Sequence, residues 1–269
     1  MRIKRETDAS GRSEAEIDAL FARTLADAPE DDDRWEAINA LRAAGGRLIF
    51  DRAMTWCKSG DARKQLSGVN ILAQIGRTVE HHVTDYADES YVVIEALLLK
   101  SPSTEMKSSA IAALYFFENP AAIPLICSFR NDADAEIRFS VAHALGYPFS
   151  NDHRAVEALL ELMRDEDEDV RDWATFSLGA QGDADSPAIR DALVERLGDS
   201  FPNAREEAVE ALAKRKDLRV LPALIELLQA ETMCGCAEEA ASYLLDLEWG
   251  DHHRTASELL GEILARYGA

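Results

Sequence analysis

Cysteines, aromatic residues and long apolar runs are all scarce in this chain of 269 residues. It has four cysteines and 7% aromatic residues. Cys57, Cys127, Cys234 and Cys236 are too few for a disulfide framework of this length, so we expect reduced thiols. No stretch of the sequence approaches the roughly 20 apolar residues of a membrane span, and the first residues lack the apolar core of a signal peptide. These absences predict a cytoplasmic protein.

Positive charge is also in short supply. The sequence has 29 Lys and Arg against 50 Asp and Glu, which gives a formal net charge of −21. Nucleic acids and anionic lipid surfaces attract proteins through Lys and Arg, so both are poor partners for this chain. The charge balance predicts no nucleic-acid and no membrane partner, and it favours a basic protein.

Linkers are missing as well, and β-branched runs are scarce. No Gly-, Ser- or Pro-rich stretch divides the chain, and Ala and Leu dominate the 47% of hydrophobic residues. Ala and Leu are strong helix formers, whereas strands favour β-branched and aromatic residues. The sequence therefore predicts an all-α fold with one continuous domain over residues 30–269, preceded by an N-terminal cap or tail over residues 1–29.

A fifteen-residue pattern recurs along the chain: an acidic turn, a basic residue, small residues three and four positions later, and Leu at the seventh. In the clearest copies the basic residues are Arg138, Arg171 and Arg205, and their spacings are 171 − 138 = 33 and 205 − 171 = 34. Fixed spacing of this kind is typical of helical repeat proteins. The clear copies are DADAEIRFSVAHALG (132–146), DEDEDVRDWATFSLG (165–179) and DSFPNAREEAVEALA (199–213), and weaker copies centre on Arg34, Lys64, Lys107 and, with the basic residue replaced, Ala237.

A second apolar helix is predicted between successive copies, so each unit is a pair of helices. These helices show apolar residues at helical spacing. The acidic residues before each copy are expected to cap the second helix of the pair, because carboxylates accept the free backbone N–H groups there. One pair cannot bury its apolar face alone, so neighbouring pairs must stack. The predicted first helices lie in 121–129, 155–163, 188–197 and 220–230.

The acidic turn, Val170-Arg171, the small residues and Leu178-Gly179 resemble HEAT repeats, and the resemblance covers roughly residues 30–250. It implies a right-handed α-α superhelix, a HEAT-like solenoid of about seven helical hairpins whose second helices line a concave binding surface. The interval 107 − 64 = 43 departs from the pattern. It predicts an insertion at residues 77–90, interpreted as a solvated connector, with an accessory binding contact as the alternative.

Candidate binding residues follow from the same register. If positions three, four and seven after the basic residue face inward, then positions one, two and five face outward. Aromatic residues would then lie beside an acidic cluster, a composition typical of an interface that receives a basic, partly apolar protein. Two interpretations of Trp173 and Phe176 remain open, as exposed anchors or as groove fillers packed on the next helix. The predicted partner-binding residues are Phe139, His143, Asp172, Trp173, Phe176, Glu206, Glu207 and Glu210.

The register Arg residues themselves are interpreted as structural, paired with an acidic turn residue of a neighbouring unit. Trp56 lies among apolar residues of a first helix, and we expect it in the core. The acidic run 165–169 does not match the calcium-loop pattern and is interpreted as a solvated turn.

Motifs for catalysis, metals and cofactors are absent from the sequence. His81-His82, His252-His253 and Cys234-Gly235-Cys236 lack the second half of a ligand set. There is no phosphate-binding Gly-rich loop, no Gly-x-Ser-x-Gly and no His-Glu-x-x-His. The sequence predicts a protein that is not an enzyme and carries no metal or cofactor.

Function is therefore predicted as a protein-binding scaffold whose concave acidic face grips a basic partner. A looser resemblance, to small acidic HEAT-repeat immunity proteins of bacteria, implies that the partner is a cognate toxin. The alternatives are an assembly adaptor and a lyase or enzyme subunit that binds a tetrapyrrole, as phycobilin lyases do. The deoxyhypusine hydroxylases bind iron through His-Glu pairs, and this chain has no His-Glu dipeptide, so that resemblance is excluded. The HEAT-like DNA glycosylases bind DNA in a basic groove, which the excess of acidic residues in this chain disfavours.

Overall fold

Helices account for all regular structure in the part of the chain that is described. The computed structural model describes residues 11–26, 31–230, 235–247 and 254–268. Within those ranges it contains fifteen α-helices, two 3-10 turns and no strand. The chain divides into two compact units, residues 1–122 and 123–269, which are described separately below. The single continuous domain stays a prediction.

The first unit contains three helix pairs. Helix α1 packs on α2, α3 on α4 and α5 on α6, and α4 also contacts both α2 and α6. Helix α1 falls inside the segment predicted as a cap or tail, and its Ser13 and Glu16 form a capping box that fixes its start. The helices are α1 (Glu14–Arg23), α2 (Asp31–Ala44), α3 (Arg47–Cys57), α4 (Ala62–Ala73), α5 (Ala87–Lys100) and α6 (Thr104–Phe116), and a 3-10 turn (Pro120–Ala122) ends the unit.

The second unit continues the pairing. Helices α8, α10, α12 and α14 form a row in which each packs on the next, and each also packs on the shorter helix that precedes it. A 3-10 turn, Leu218–Val220, leads into α13. The helices are α7 (Ile123–Cys127), α8 (Ala135–Ala144), α9 (His153–Leu162), α10 (Glu168–Gly179), α11 (Pro187–Arg196), α12 (Pro202–Lys214), α13 (Leu221–Leu228), α14 (Gly235–Leu245) and α15 (Ala256–Tyr267).

The predicted repeat coincides with these pairs, so the all-α, HEAT-like fold of about seven hairpins is confirmed. Each of the seven register residues lies in the second helix of a pair, from Arg34 in α2 to Ala237 in α14. The positions three, four and seven after each clear register Arg are buried and form the core between adjacent helices. They are Val141, Ala142 and Leu145, then Ala174, Thr175 and Leu178, then Ala208, Val209 and Leu212.

The prediction that acidic turn residues cap the second helix is confirmed in two of the three clear copies. Asp134 caps α8 by accepting from Glu136 N–H, and Asp167 caps α10 by accepting from two backbone N–H groups. Helix α12 differs, because its N-cap is Phe201, which makes no side-chain cap bond. Asp199 accepts from Phe201 N–H at 2.9 Å and so braces the turn before the helix.

The insertion predicted at residues 77–90 is shorter and better anchored than expected. Helix α5 begins at Ala87, so the last four of those residues are helical. The hydroxyl of buried Thr84 lies within hydrogen-bonding distance of Ala73 O and Phe116 O, at 3.1 and 3.2 Å. The solvated connector is therefore confined to the tip, where Val79 is 90% exposed.

The thiol expectation holds for two of the four cysteines. Cys57 and Cys127 are free, and burial raises the pKa of the Cys57 thiol to about 12. Cys236 is disulfide-bonded, contrary to the expectation, and Cys234 lies outside the described residues. None of the helices in the described ranges is both long and apolar enough to cross a bilayer.

Candidate functional site

The eight predicted binding residues lie on three neighbouring helices of the second unit. Helix α10 packs between α8 and α12, and all eight side chains are half-buried. The structure therefore brings the whole predicted set onto one row of second helices. Half-burial arises because each helix covers part of the outward positions of its neighbour, which sequence register alone does not show.

An aromatic patch, formed by Phe139, His143, Trp173 and Phe176, is centred on Trp173. The Trp173 ring meets Phe139 at 5.5 Å and Phe176 at 5.5 Å between centroids, both edge to face. His143 lies at 4.9 Å from it, and burial lowers the pKa of its imidazole. Edge-to-face contacts of this kind stabilise ring clusters beyond the area that they bury. The patch is a preformed apolar surface that spans α8 and α10.

Trp173 and Phe176 were predicted to be either exposed anchors or groove fillers, and these contacts show features of both. Both residues touch neighbouring rings, as groove fillers would, yet neither is fully buried. Each keeps a fraction of its ring surface available to another molecule. The geometry thus combines internal packing with partial exposure.

A carboxyl cluster adjoins the aromatic patch on the C-terminal side of the row and is formed by Asp172, Glu207, Glu210 and Glu239. Burial, with the charges of Glu210 and Asp172, raises the pKa of Glu207 to about 7. Burial and then Glu239 raise the pKa of Glu210 to about 7 as well. Burial chiefly, followed by nearby carboxylates, raises the pKa of Asp172 to about 6. Like charges held close in a partly dry site oppose ionisation.

Two oxygens of the cluster are cut off from solvent without a donor. Asp172 Oδ1 and Glu207 Oε2 are buried and have no hydrogen-bond partner among the described residues. An ionised carboxylate oxygen left in this state costs free energy, which is the reason that buried polar atoms nearly always find partners. The cluster is consequently short of a positive or donor group.

The sequence register predicted three of the four residues of the carboxyl cluster, Asp172, Glu207 and Glu210, and did not predict Glu239. Glu239 lies on α14, the degenerate seventh copy, two positions after Ala237. In the clear copies, the residue two positions after the basic residue was predicted to face outward. Ala237 replaces the basic residue in the seventh copy, so the same rule would have predicted that Glu239 faces outward. Glu206, the remaining predicted residue, is half-buried and contributes its charge to Asp172 and Glu207.

Two of the three clear register Arg residues pair with an acidic turn residue of the neighbouring unit, as expected. Arg138 donates to both carboxylate oxygens of Asp165, at 2.7 and 2.8 Å, and Arg171 does the same to Asp199, at 2.8 and 2.9 Å. Arg205 instead donates to the carbonyl oxygens of Asp199 and Ser200. Asp165 is thus an ion-pair partner, and the acidic run that contains it is not merely a solvated turn.

Trp56 does not lie in the core, contrary to the sequence expectation. It is half-buried and meets Phe21 edge to face at 4.8 Å between centroids. Together they line an open cavity of about 610 Å³ in the first unit, with Asp18, Arg52 and Lys64 at its polar margin. Burial was predicted from the apolar neighbours of Trp56 in sequence. The cavity depends on α1, whose existence the sequence left open.

Metal-binding geometry is not found in the described residues, where no group of three or more His, Cys, Asp or Glu side chains could hold an ion. His81 pairs with Asp85 at 3.4 Å on the exposed loop before α5. His252, His253 and Cys234 lie outside the described residues, so the expectations about them stay predictions.

Comparison with known proteins adds family and fold. A family profile described as HEAT repeats matches residues 92–179 and 156–244. Protein YibA of Escherichia coli K12 is 28% identical over 217 residues, which is 79% of this chain and 75% of YibA, and YibA of strain O157:H7 gives the same figures.

A solved structure supports the fold. The X-ray structure of YibA of E. coli superimposes with a TM-score of 0.71 and 24% identity over 98% of each chain. Human deoxyhypusine hydroxylase in complex with glycerol aligns over 94% of this chain and 96% of its own, with a TM-score of 0.38 and 18% identity. A similarity that low carries no argument about activity.

Proposed function

Because the chain belongs to the HEAT-repeat family, we propose that it is a non-catalytic scaffold that binds a basic protein partner. The partner would contact the aromatic patch and the carboxyl cluster on the second helices of residues 123–269. The observation that carries this proposal is the juxtaposition of the two features on adjacent helices α8, α10, α12 and α14. Half-buried rings beside carboxylates that lack a counter-charge suit a segment with both apolar and basic side chains.

Trp173 is the expected anchor of this interface. Its ring is held by three neighbours, so little side-chain entropy remains to be lost when a partner covers it. Preorganised aromatic residues are among the side chains that contribute most to protein interfaces. The surrounding carboxylates would provide orientation and selectivity more than affinity.

We further propose that binding neutralises a toxic partner by covering its working surface. The support is physical: a net charge of −21 attracts a basic protein over long range and speeds association at low salt. Rapid capture is what an inhibitor of an intracellular toxin requires. Growth protection of cells that express a toxin encoded beside this chain is the direct test, and absence of protection would leave a scaffold without inhibitory action.

The experiment that tests the binding face begins with affinity capture of the tagged protein from its native cells at low salt. Mass spectrometry identifies the partner, which is then purified and titrated by calorimetry. Trp173→Ala with Phe176→Ala is expected to weaken binding by about 2 kcal/mol or more, roughly 30-fold, because both rings would contribute contact area.

A matched control is Trp35→Ala, which truncates a tryptophan on α2 that is 41% exposed and lies outside the patch. It should leave the affinity unchanged. Equal affinity for the double variant and the control would place the site elsewhere. Recovery of a pigment or another small molecule in place of a protein would overturn the scaffold proposal in favour of the tetrapyrrole alternative.

A further inference from the structure

The open cavity beside Trp56, here called the Trp56 cavity, lies outside the helices assigned to partner binding. It measures about 610 Å³, and residues of α1, α3 and α4 line it. Leu25 and Leu48 contribute half-buried apolar surface, and Trp56 contributes a half-buried ring. Pockets for small organic ligands have volumes of about 300–1,000 Å³ and mostly apolar and aromatic walls. The Trp56 cavity therefore has the size and the lining of a ligand site.

The Trp56 ring is held in place by two neighbours. Buried Phe21 of α1 meets it edge to face at 4.8 Å between centroids. The ammonium of Lys64, on α4, lies over the ring at 5.9 Å from its centroid. Both kinds of contact favour one orientation of the indole. The aromatic wall is thus preformed, and a ligand that covers it costs little side-chain entropy.

Lys64 is the charged residue of the lining that has no counter-charge. Four charged side chains line the cavity. Arg52 pairs with Asp18, and Asp51 pairs with Arg47 at 2.9 Å. Lys64 is the fourth, and it forms no ion pair with any residue that the structure describes. After these pairings the lining keeps one positive charge, which lies at an aromatic wall.

The repeat explains why Lys64 has no carboxylate partner. Lys64 is the register residue of its copy and stands where the clear copies have Arg. Arg171 pairs with Asp199, which lies six residues before the next register position, 205 − 6 = 199. For Lys64 the equivalent position is 107 − 6 = 101, which is occupied by Ser101 and carries no charge. Lys64 thus keeps the place of a structural cation without its acidic partner, so its charge remains to be balanced.

We propose that the Trp56 cavity binds a small aromatic monocarboxylate, with its ring against Trp56 and its carboxylate on the Lys64 ammonium. One ammonium balances one carboxylate, whereas a dianion would keep surplus negative charge near Asp18 and Asp51. An aromatic amine would bring a like charge to Lys64. The inference goes beyond the proposed function and does not depend on it, because the cavity belongs to residues 1–122 and the partner face to residues 123–269.

Three naphthalene probes of similar shape test the charge of the ligand. Naphthylacetate is an anion, naphthylacetamide is neutral and naphthylethylamine is a cation. They are titrated by calorimetry at pH 7.5 in about 150 mM salt, where the Debye length of about 8 Å screens the net charge of −21. Naphthylacetate should bind at least about 10-fold more tightly than naphthylacetamide, and naphthylethylamine should bind most weakly. Equal affinities for the acid and the amide would overturn the proposal.

Fluorine NMR locates the bound probe. The chain has four tryptophans, and replacing them with fluorotryptophan gives each one a resonance. Trp56→Phe identifies the resonance of Trp56. Naphthylacetate should shift that resonance and leave those of Trp35 and Trp173 in place, because these two side chains do not line the cavity. A shift at Trp173 without one at Trp56, or no shift at millimolar probe, would overturn the proposal.

Substitutions of Lys64 test its role. Lys64→Met removes the ammonium and keeps the length of the side chain, so the affinity for naphthylacetate should fall about 10-fold, to that for naphthylacetamide. Lys64→Arg keeps the charge and should keep the preference for the acid. The matched control Lys100→Met changes an exposed lysine at the end of α5 and should leave both affinities unchanged. An equal loss for the acid and the amide in Lys64→Met would mean that Lys64 only shapes the cavity, and would overturn the proposal.

Further variants separate this inference from the proposed function. Circular dichroism and thermal melting first confirm that each protein is folded. Trp173→Ala with Phe176→Ala should leave the affinity for naphthylacetate unchanged, and Lys64→Met should leave the affinity for the captured partner unchanged. Loss of probe binding in the double variant would overturn the assignment of the ligand to the Trp56 cavity, while the partner face would be judged by its own titration.

Discussion

At the scale of residues, Arg138 and Arg171 each join their own turn to the turn of the next unit, and this role explains their regular spacing. Arg171 joins Asp199 of the next turn and also donates to the carbonyl oxygens of Asp165 and Glu166 of its own turn. The carboxylate of Asp199 is almost completely buried, at 2% exposure. Its pKa is lowered to about 2, first by the hydrogen bond from Arg171. A single guanidinium thus satisfies acceptors of two successive units.

Arg171→Ala is expected to lower the free energy of unfolding by about 2 kcal/mol, because it removes the donor to two carbonyl groups and leaves the buried Asp199 carboxylate with only Arg196 and the Phe201 N–H as partners. Urea denaturation at pH 7 measures the loss. The ion pair stabilises the folded protein fully at pH values above the ordinary pKa of an aspartate. This contribution is lost as the pH falls through the lowered pKa of Asp199, about 2. The deficit of the variant should therefore shrink as the solution approaches pH 2.

A control for this substitution is Arg164→Ala. Arg164 pairs with Glu195 at 3.2 Å, but the two side chains are 57% and 50% exposed. Exposed pairs contribute roughly 0 to 1 kcal/mol. A similar loss of unfolding free energy in both variants would show that the Arg171 ion pair stabilises the protein no more than an exposed pair does.

At the scale of elements, small residues set the distance between helices. A Cβ added to Gly68 of α4 would come within 2.8 Å of Cys57 Sγ and 2.9 Å of Ala53 O on α3. Gly179 of α10 has a similar relation to α12, since its Cβ would lie 2.6 Å from the Ala211 side chain. The small positions of the repeat are therefore steric requirements of close helix packing.

Gly68→Ala is expected to destabilise the protein by about 1 to 3 kcal/mol, because α3 and α4 must separate to admit one methyl group. Gly261→Ala is the matched substitution in α15, where nothing lies within 4 Å of the new Cβ. Alanine is the better helix former, so this variant should be more stable by up to about 1 kcal/mol. Thermal melting of both proteins checks the opposite signs, and equal shifts would contradict the packing argument.

At the scale of the whole molecule, acidic charge dominates. The net charge of −21 acts against the compact state at neutral pH through self-repulsion, which salt screens. Many of the 29 basic residues are already used in ion pairs, such as Arg130 with Glu161 and Arg219 with Asp191. The surplus carboxylates are what a basic partner would meet.

Raising the salt concentration from 20 to 200 mM at pH 7.5 should increase Tm by several degrees, because self-repulsion among the surplus carboxylates is screened. At pH 4.6, near the isoelectric point computed from the sequence, the same change should have little effect or lower Tm by weakening ion pairs. Scanning calorimetry at both pH values measures this contrast. An equal rise in Tm on adding salt at both pH values would mean that net charge does not limit stability.

Local signals in the sequence were enough to predict the elements and their register. Helix-forming composition, the 33- and 34-residue spacings and the acidic turns sufficed to place all seven second helices, since each unit carries its own local signals of capping and apolar spacing. The same register identified the buried positions, and it brought Phe139, His143, Trp173 and Phe176 onto one surface before any contact was known.

Packing between helices sets how deeply those surfaces are covered and which groups lack partners, and the sequence did not predict it. Half-burial of Trp173, the crowding of carboxyl groups around Glu207, and the cavity beside Trp56 arise where two or three helices meet. Distances between helices depend on side chains far apart in sequence. Local periodicity fixes the face of a helix on which a residue lies, but the neighbouring helix determines how much water reaches it.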